Sequence, residues 1–396
     1  MNTATSGFVG RRLVEARQAR GLTGAMLAEL IQVTPQSVSH YERGRHSPSP
    51  EMLGRIADIL NMPMPYFSRQ LDPEQSSPIF WRGRSTATRA ARDRAEIRLI
   101  WIHAILDYLT KFFELPALDM PSIDLPADFR DYTYEDIERA SAQVRNHWRV
   151  GDGPMPDLLL EMENNGILIS RILVGADKLD AFTQWSSAFQ IPIVMLGRDK
   201  ASACRQRFDA AHELAHLILH KKVQLKRLNT SADYKIMEDQ AHFFASSLLL
   251  PAREFSNDLW SPTLDGMLSI KERWRVSVGA MIMRCEALGL IREEGARRLW
   301  INYARRGWRS GEPFDGKLEK ERPRVLRRSI TMLLAEREQS VSQILSSLAL
   351  APKDIEELCD LDPGTLTGET ADSRAMPVLK SRQPSGNVVP LFGKKP

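Results

Sequence analysis

This chain of 396 residues contains one pattern that is compatible with few folds. The pattern places two histidines and a glutamate on an apolar stretch, His212-Glu213-Leu214-Ala215-His216. In a helix, residues four positions apart lie on one face about one turn from each other, so both imidazoles can bind one zinc ion. Glu213 projects beside them and can take a proton from a water that the metal has acidified. We therefore predict a buried helix over residues 205–220 that holds one zinc ion.

A catalytic zinc ion needs a third protein ligand. His220 lies about 12 Å along the helix axis from His212, too far to share the ion, because each residue of a helix rises by about 1.5 Å. We expect His220 to cap the C-terminus of this helix, where a cation is favoured. The better candidate is Glu238, which we place at the start of a second apolar helix over residues 238–250.

Alternatives remain for each part of this site. The histidines of a core helix can be incidental, although burying them with a carboxylate and no metal is costly. Taken alone, Glu238 is explained as a carboxylate that the dipole favours at a helix N-terminus. Asp239 and His242 are alternative ligands. His242 lies one turn from Glu238 on the same face, so we also expect it to contact the ligands or to stabilise an oxyanion.

Two segments resemble the ImmA/IrrE metallopeptidases: residues 205–220 (RQRFDAAHELAHLILH) and residues 238–251 (EDQAHFFASSLLLP). The resemblance covers about residues 135–310 and implies a minimal gluzincin fold, with a small sheet beside two active-site helices. Members of this family cleave helix-turn-helix repressors. The resemblance also implies which residues bind zinc and which is the catalytic base. The implied ligands are His212, His216 and Glu238, and the implied base is Glu213.

Two positions depart from the family pattern. Ala215 replaces the usual glycine, a change that favours a helix. His242 replaces a common asparagine. Further along, residues 270–290 resemble the helix-turn-helix-like element that follows the peptidase in this family, with a break between two helices at residues 275–277. Residues 307–313 resemble the corresponding segment in those family members that are fused to a further domain.

Residues 8–67 resemble the lambda-repressor-like, or XRE, helix-turn-helix domains. The resemblance is carried by RQARGL at residues 17–22, VTPQSVSHYE at residues 33–42 and RGR at residues 43–45. Thr23 and Thr34 are the predicted N-caps of the two motif helices. The second of these helices is expected to enter the major groove of double-stranded DNA. The expected base-reading residues are Gln36, Ser37, Ser39 and His40, and the expected phosphate contacts are Arg43 and Arg45.

The charge of this segment agrees with a DNA partner. Residues 1–100 hold 14 arginines, no lysine and 9 acidic residues, a net charge of +5. The planar guanidinium of arginine suits phosphate contacts. However, Gly24 stands where the family usually has a glutamine that contacts phosphate. A helical domain used for protein contacts is the alternative. Operator binding by such domains usually uses a pair, so we expect a homodimer.

The pattern of elements predicts an α+β chain, mainly helical with a small sheet. Strands are expected over residues 167–174 and 191–196, where isoleucine and valine cluster. A helix is expected over residues 89–115. The predicted domains are a helix-turn-helix domain (1–69), a linker and connecting helix (70–134), a peptidase domain (135–260), a helix-turn-helix-like element (261–310), a C-terminal helical region (311–366) and a disordered tail (367–396).

The composition excludes several classes of protein. The three cysteines are far apart and show no CxxC spacing, which argues against a disulfide framework. No apolar run approaches the roughly 20 residues of a membrane helix, and the N-terminus lacks the apolar core of a signal peptide. We therefore expect a cytoplasmic protein without a membrane partner.

Three functions fit these patterns. The first is a zinc-dependent, site-specific metallopeptidase linked to transcriptional control, which cleaves a helix-turn-helix repressor in a stress, phage or mobile-element response. The second is a DNA-binding transcription regulator or antitoxin whose zinc domain senses a ligand or partner without proteolysis. The third is self-cleavage in the linker around residues 70–84. A complete set of ligands together with Glu213 favours catalysis, because structural zinc needs no base.

Overall fold

The computed structural model describes residues 7–70, 79–81, 88–173, 181–198, 202–221, 223 and 231–368. Within these ranges the chain is mainly helical with one small sheet, so the expected α+β class is confirmed. None of the helices in these ranges is long and apolar enough to cross a membrane. The tail predicted at residues 367–396 lies outside the described residues from residue 369 onward.

The N-terminal part is a small bundle of four helices and one 3-10 helix. The helices are α1 (Gly10–Ala19), α2 (Gly24–Leu30), α3 (Pro35–Glu42) and α4 (Pro50–Leu60), and the 3-10 helix is Met64–Ser68. The hydroxyls of Thr23 and Thr34 accept backbone hydrogen bonds in the first turns of α2 and α3, so both helices begin where the sequence predicted. Buried Ala28, Ile31 and Val38 fill the angle between α2 and α3.

Strand β1 (Ile79–Trp81) and helix α5 (Arg89–Leu109) follow the bundle. Strand β1 falls within the predicted linker over residues 70–84; its three residues pair with the sheet, a contact that the sequence did not reveal. Helix α5 is shorter than predicted. A chain segment without regular helix leads from α5 to a 3-10 helix at Phe129–Asp131.

The central part of the chain contains a sheet and its covering helices. Its elements are α6 (Tyr134–His147), α7 (Leu158–Asn164), β2 (Leu168–Ile172), β3 (Ala181–Ser186), β4 (Ile191–Gly197), α8 (Ala203–Leu219), α9 (Ser231–Leu249) and α10 (Ala252–Asp258). The strand order is β1-β3-β4-β2, with β2 parallel to β4 and the other pairs antiparallel. Strand β3 was not predicted, because Thr183, Gln184 and Ser186 are buried polar residues that hide the apolar pattern of a strand.

The sheet separates two apolar cores. Along β4, Ile193 and Met195 face one core, and Val194 and Leu196 face the other, as the two-residue period of a strand requires. The first core continues into α5, the N-terminal bundle and the C-terminal helices. The second core contains α8 and α9, the two helices on which the predicted metal site lies.

Six further helices complete the described chain. They are α11 (Leu264–Trp274), α12 (Val278–Ala287), α13 (Glu293–Arg305), α14 (Val325–Ala335), α15 (Val341–Leu348) and α16 (Pro352–Leu358). The predicted break at residues 275–277 is confirmed: Arg275 is left-handed with φ 53, and Ser277 caps α12. The C-terminal region is helical, as expected.

The C-terminal helices fasten the N-terminal bundle to the sheet. Buried Asp354 of α16 accepts hydrogen bonds at 2.8 and 2.6 Å from the Arg20 guanidinium of the bundle. It accepts a third, at 2.8 Å, from Arg98 of α5. On the other side of α16, the carbonyl of Leu358 accepts a hydrogen bond from Ser170 of β2. One short helix therefore contacts both the bundle and the sheet.

Candidate metal centre

Helix α8 brings the two motif histidines to one buried face. Its flanking residues Ala211, Leu214 and Ala215 are fully buried, so this part of α8 lies inside the second core. The side chains of His212 and His216 are also buried, and their Nε2 atoms lie 3.1 Å apart. Two imidazole nitrogens at this distance are placed to share one ion.

Helix α9 adds a carboxylate to this pair. Glu238 Oε2 lies 3.5 Å from His212 Nε2, and Glu238 Oε1 lies 3.4 Å from His216 Nε2. Glu238 does not start its helix as the sequence suggested, since α9 already begins at Ser231. The alternative role of Glu238 as a dipole-favoured residue at a helix N-terminus is therefore wrong.

The three ligand atoms fit a zinc ion. Ligands of a tetrahedral ion lie about 1.63 bond lengths apart, so zinc bonds of about 2.0–2.1 Å place them roughly 3.3–3.4 Å from each other. The separations of 3.1, 3.4 and 3.5 Å bracket this value. Glu238 Oε1 is buried and accepts no hydrogen bond from the described residues, as expected of an atom that faces a cation. His212, His216 and Glu238 form the group in the described chain that is able to hold a metal ion.

The ionisation of Glu238 agrees with this role. Burial by itself raises the pKa of the Glu238 carboxyl. Without a bound ion, hydrogen bonds donated by the imidazoles of His212 and His216 outweigh burial and hold this pKa well below the usual range. Glu238 is therefore a carboxylate, the form that binds a metal.

Glu213 lies beside the ligands and is oriented by the sheet. Its side chain is fully buried, and its Oε2 accepts a hydrogen bond of 2.6 Å from the hydroxyl of Thr183 on β3. Sequence reasoning missed Thr183, because strand β3 was not predicted and the contact spans 30 residues. The hydrogen bond fixes the rotation of the carboxylate next to the two histidines.

The other two residues predicted for the site occupy different positions. His242 lies against the ligands: its ring centroid is 4.6 Å from that of His212, and its Nδ1 donates to the backbone carbonyl of Glu238 at 2.7 Å. Asp239 is exposed and does not belong to the metal-binding group. The structure thus brings His242 next to the centre and leaves Asp239 outside it.

His220 is at the end of α8, but it is not a cationic cap. The side chain is fully buried, and burial, reinforced by the nearby His216, lowers the pKa of the His220 imidazole to about 3. Its Nδ1 lies 3.0 Å from Nδ1 of His216, and its Nε2 lies 2.9 Å from Oε1 of Gln240 on α9. The expectation of a charged His220 is therefore wrong, because this end of the helix is closed off from water.

The residues predicted to contact DNA lie on and just after α3. Gln36, Arg43 and Arg45 are exposed, whereas Ser37, Ser39 and His40 are half-buried. The Ser37 hydroxyl lies 2.9 Å from the hydroxyl of the cap residue Thr34, so it is partly engaged within the helix start. The buried residue Val38 points α3 toward α2 and leaves the side that carries Gln36 open to solvent.

All three cysteines are free and buried. Burial raises the pKa of the Cys204 thiol to about 11 and that of Cys285 to about 12. Neither thiol is an activated nucleophile, because the reactive form is the thiolate. The cysteines therefore do not compete with Glu213 for a catalytic role.

The fold and this site combine a helix-turn-helix domain with a peptidase-like domain. The helix-turn-helix family model matches residues 13–67. The model of the IrrE N-terminal-like domain, of peptidase family M78, matches residues 162–286, which include the whole metal centre. The chain thus contains an N-terminal XRE-like domain followed by an ImmA/IrrE-like peptidase domain.

Individual relatives match only parts of the chain. An uncharacterized HTH-type transcriptional regulator of Rickettsia conorii is 35% identical over 65 residues, which are 16% of this chain and 52% of that protein. A transcriptional regulator of Mycobacterium tuberculosis with a solved structure is 16% identical, with 40% of this chain and 50% of that chain covered and a TM-score of 0.29. The chain spans about half the length of each of these relatives.

Proposed function

We propose that this chain is a zinc-dependent endopeptidase coupled to transcriptional control, and that its substrate is a helix-turn-helix repressor. The observation that carries the proposal is the convergence of His212, His216 and Glu238 at tetrahedral separations, with Glu213 held beside them. A structural zinc site is closed by four protein ligands, whereas a catalytic site has three and an open position. The three ligands and the adjacent carboxylate of Glu213 therefore favour a catalytic zinc site over a structural one.

Each residue of the centre has a distinct part in peptide hydrolysis. When bound, zinc supplies a Lewis acid that polarises the scissile carbonyl and lowers the pKa of water. Glu213 accepts the proton of the attacking water and returns it to the leaving nitrogen. Thr183 keeps the Glu213 carboxylate in one orientation, so the carboxylate need not rotate before it accepts the proton. His242 lies beside the ligands, and its doubly protonated form would stabilise negative charge on the substrate carbonyl.

A cleft lies at the C-terminal end of α8, the helix that carries the two motif histidines, and we propose that it receives a side chain of the substrate. It has a volume of about 550 Å³, and its walls include Ile123, Leu125, Trp185, Leu217 and Lys221. Trp185 and Thr183 lie on the same face of β3, about 7 Å apart along the strand. A peptide that lies along β3 therefore passes both Glu213 and this cleft.

The same geometry favours self-cleavage as a second candidate activity. An extended peptide can bind a protein by adding as a strand to the edge of a sheet. The outer edge of β3 is already paired with β1, and Phe80 stands opposite Thr183, the partner of Glu213. The chain's own linker strand is therefore in the position that a substrate strand would take. A foreign peptide must displace β1, and we propose β1 itself as the candidate site of self-cleavage.

The helix-turn-helix domain would hold the peptidase domain close to the DNA that a repressor occupies. Fusion to a domain that binds an operator raises the effective concentration of the peptidase near a repressor bound at that operator. Asp354 and its arginine partners hold the helix-turn-helix bundle against the rest of the chain. The two activities thus belong to one connected structure.

The test compares wild-type protein with Glu213→Gln in cells by mapping new protein N-termini with mass spectrometry. We expect cleavage of a helix-turn-helix repressor in the wild type and its loss in the variant, with zinc retained in both. A purified, zinc-loaded sample incubated alone reveals cleavage near residues 79–81 if the linker is a substrate. No Glu213-dependent new terminus in any protein, with transcriptional control intact in Glu213→Gln, would instead support a regulator or antitoxin that senses a ligand without proteolysis.

A further inference from the structure

Behind the metal centre lies a line of buried polar groups that the proposed chemistry does not use. It starts at Nδ1 of His216, the ring nitrogen opposite the one that faces the metal position. From there it runs to His220, then to Gln240, and ends at the backbone carbonyl of Phe129. His216, His220 and Gln240 are all buried. We call this set the relay.

The direction of every hydrogen bond in the relay follows from its last member. The carbonyl of Phe129 can only accept, so the Gln240 atom 2.6 Å away is the amide nitrogen Nε2. Gln240 Oε1 therefore faces His220, 2.9 Å from its Nε2. A carbonyl oxygen can only accept, so the proton of this bond is on His220 Nε2.

The tautomer of His216 follows in turn. His220 is fully buried, and its two ring nitrogens face His216 and Gln240 rather than a carboxylate, so it is neutral and carries one proton. With that proton on Nε2, its Nδ1 is an acceptor. The atom 3.0 Å from it is His216 Nδ1, which must then donate. His216 Nε2 is left without a proton, as a metal ligand must be.

We infer that His220 and Gln240 are positioning residues that fix His216 in the tautomer and ring orientation required to bind the metal. This inference rests on the proposed zinc site. The relay also ties the end of α8 to α9 only two residues after Glu238, so one amide helps to set the spacing of two ligands. Groups that hydrogen-bond a ligating histidine typically change metal affinity about 10- to 100-fold when they are removed.

The experiment measures zinc affinity of the purified full chain by competition with a chromophoric chelator. Gln240→Leu removes the acceptor of the relay, and we expect the affinity to fall about 10- to 100-fold. Asp239→Ala, a change at the exposed neighbouring residue, is the matched control and leaves the affinity unchanged. Circular dichroism establishes that each variant is folded.

A second readout does not depend on the variants. Nitrogen-15 NMR of the histidine rings reports which nitrogen carries the proton, and we expect His220 to be protonated at Nε2 in the zinc-loaded protein. A folded Gln240→Leu protein with wild-type zinc affinity, or a His220 protonated at Nδ1, overturns the relay. Wild-type protein that binds no zinc would instead refute the proposed function, so the two failures are distinguishable.

Discussion

Replacing Asp354 by alanine should separate the N-terminal bundle from the rest of the chain. The carboxylate is buried, and it accepts hydrogen bonds of 2.6–2.8 Å from Arg20 and Arg98. Only 9% of the Arg98 side chain is exposed, so its guanidinium cannot be hydrated unless the structure around it changes. Removing one partner of a buried ion pair typically costs about 3–5 kcal/mol, because the remaining charge is left without a counterion.

Arg20 and Glu357 both reduce the loss of unfolding free energy expected for Asp354→Ala. Arg20 is partly exposed, with 20% of its side chain accessible, so it can recover some hydration. Glu357 lies 3.6 Å from Arg98 and partly replaces the lost carboxylate. We therefore expect the lower end of the range, a loss of about 3 kcal/mol in the free energy of unfolding.

Urea unfolding followed by circular dichroism measures this loss, and limited proteolysis shows whether the bundle separates first. Asp362→Ala is the matched control: Asp362 pairs with Arg322 and Arg327 while 64% exposed, and an exposed pair contributes about 0–1 kcal/mol. If the two variants lose the same small amount, α16 does not fasten the bundle to the sheet and the reasoning from burial is wrong.

Three further predictions concern the site, the pH response and DNA. Thr183→Val removes the hydrogen bond to Glu213 and should lower kcat about 10- to 100-fold on a peptide from the mapped cleavage site. The reason is that a hydrogen bond to a charged group contributes about 1.5–3 kcal/mol. As a control, the zinc affinity of the variant should be unchanged. Burial, only partly opposed by backbone N–H groups of Arg324 and Val325, raises the pKa of Glu163 from 4.5 to about 7. The folded chain then holds this proton more tightly than the unfolded chain, so stability should fall by about 3 kcal/mol as the pH rises from 4.5 to 7, and Glu163→Gln should remove that part of the slope in urea unfolding. Arg43→Ala should weaken binding to all DNA sequences and reduce the salt dependence of binding, whereas Gln36→Ala should relax the preference at one base pair by about 1–3 kcal/mol. Fluorescence anisotropy on a selected operator measures both effects. Equal effects of the two changes would contradict the assigned roles.

Local signals in the sequence predicted local structure well. The hydroxyls of Thr23 and Thr34 mark the starts of α2 and α3, because a cap acts within its own first turn. The apolar period around His212 and His216 predicted α8 for the same reason. The two histidines of the candidate metal centre on α8 are thus readable from their spacing alone.

Features that depend on distant partners were not readable. Strand β3 is polar where it is buried, since Thr183 is satisfied by Glu213 from another element. Helix α9 starts before the apolar run that revealed it, so Glu238 was placed at the wrong position in its helix. His220 was assigned a charge because the sequence does not show that Gln240 and Phe129 enclose it. The relay appears only when three separate segments are assembled.

The most direct test of the whole account is zinc K-edge X-ray absorption on the purified chain, combined with its metal content. We expect one zinc ion per chain, bound by two imidazole nitrogens and carboxylate or water oxygen at about 2.0–2.2 Å, and loss of the ion in Glu238→Ala. A chain without zinc, a spectrum with sulfur at about 2.3 Å from the cysteines, or full zinc retention in Glu238→Ala would contradict it.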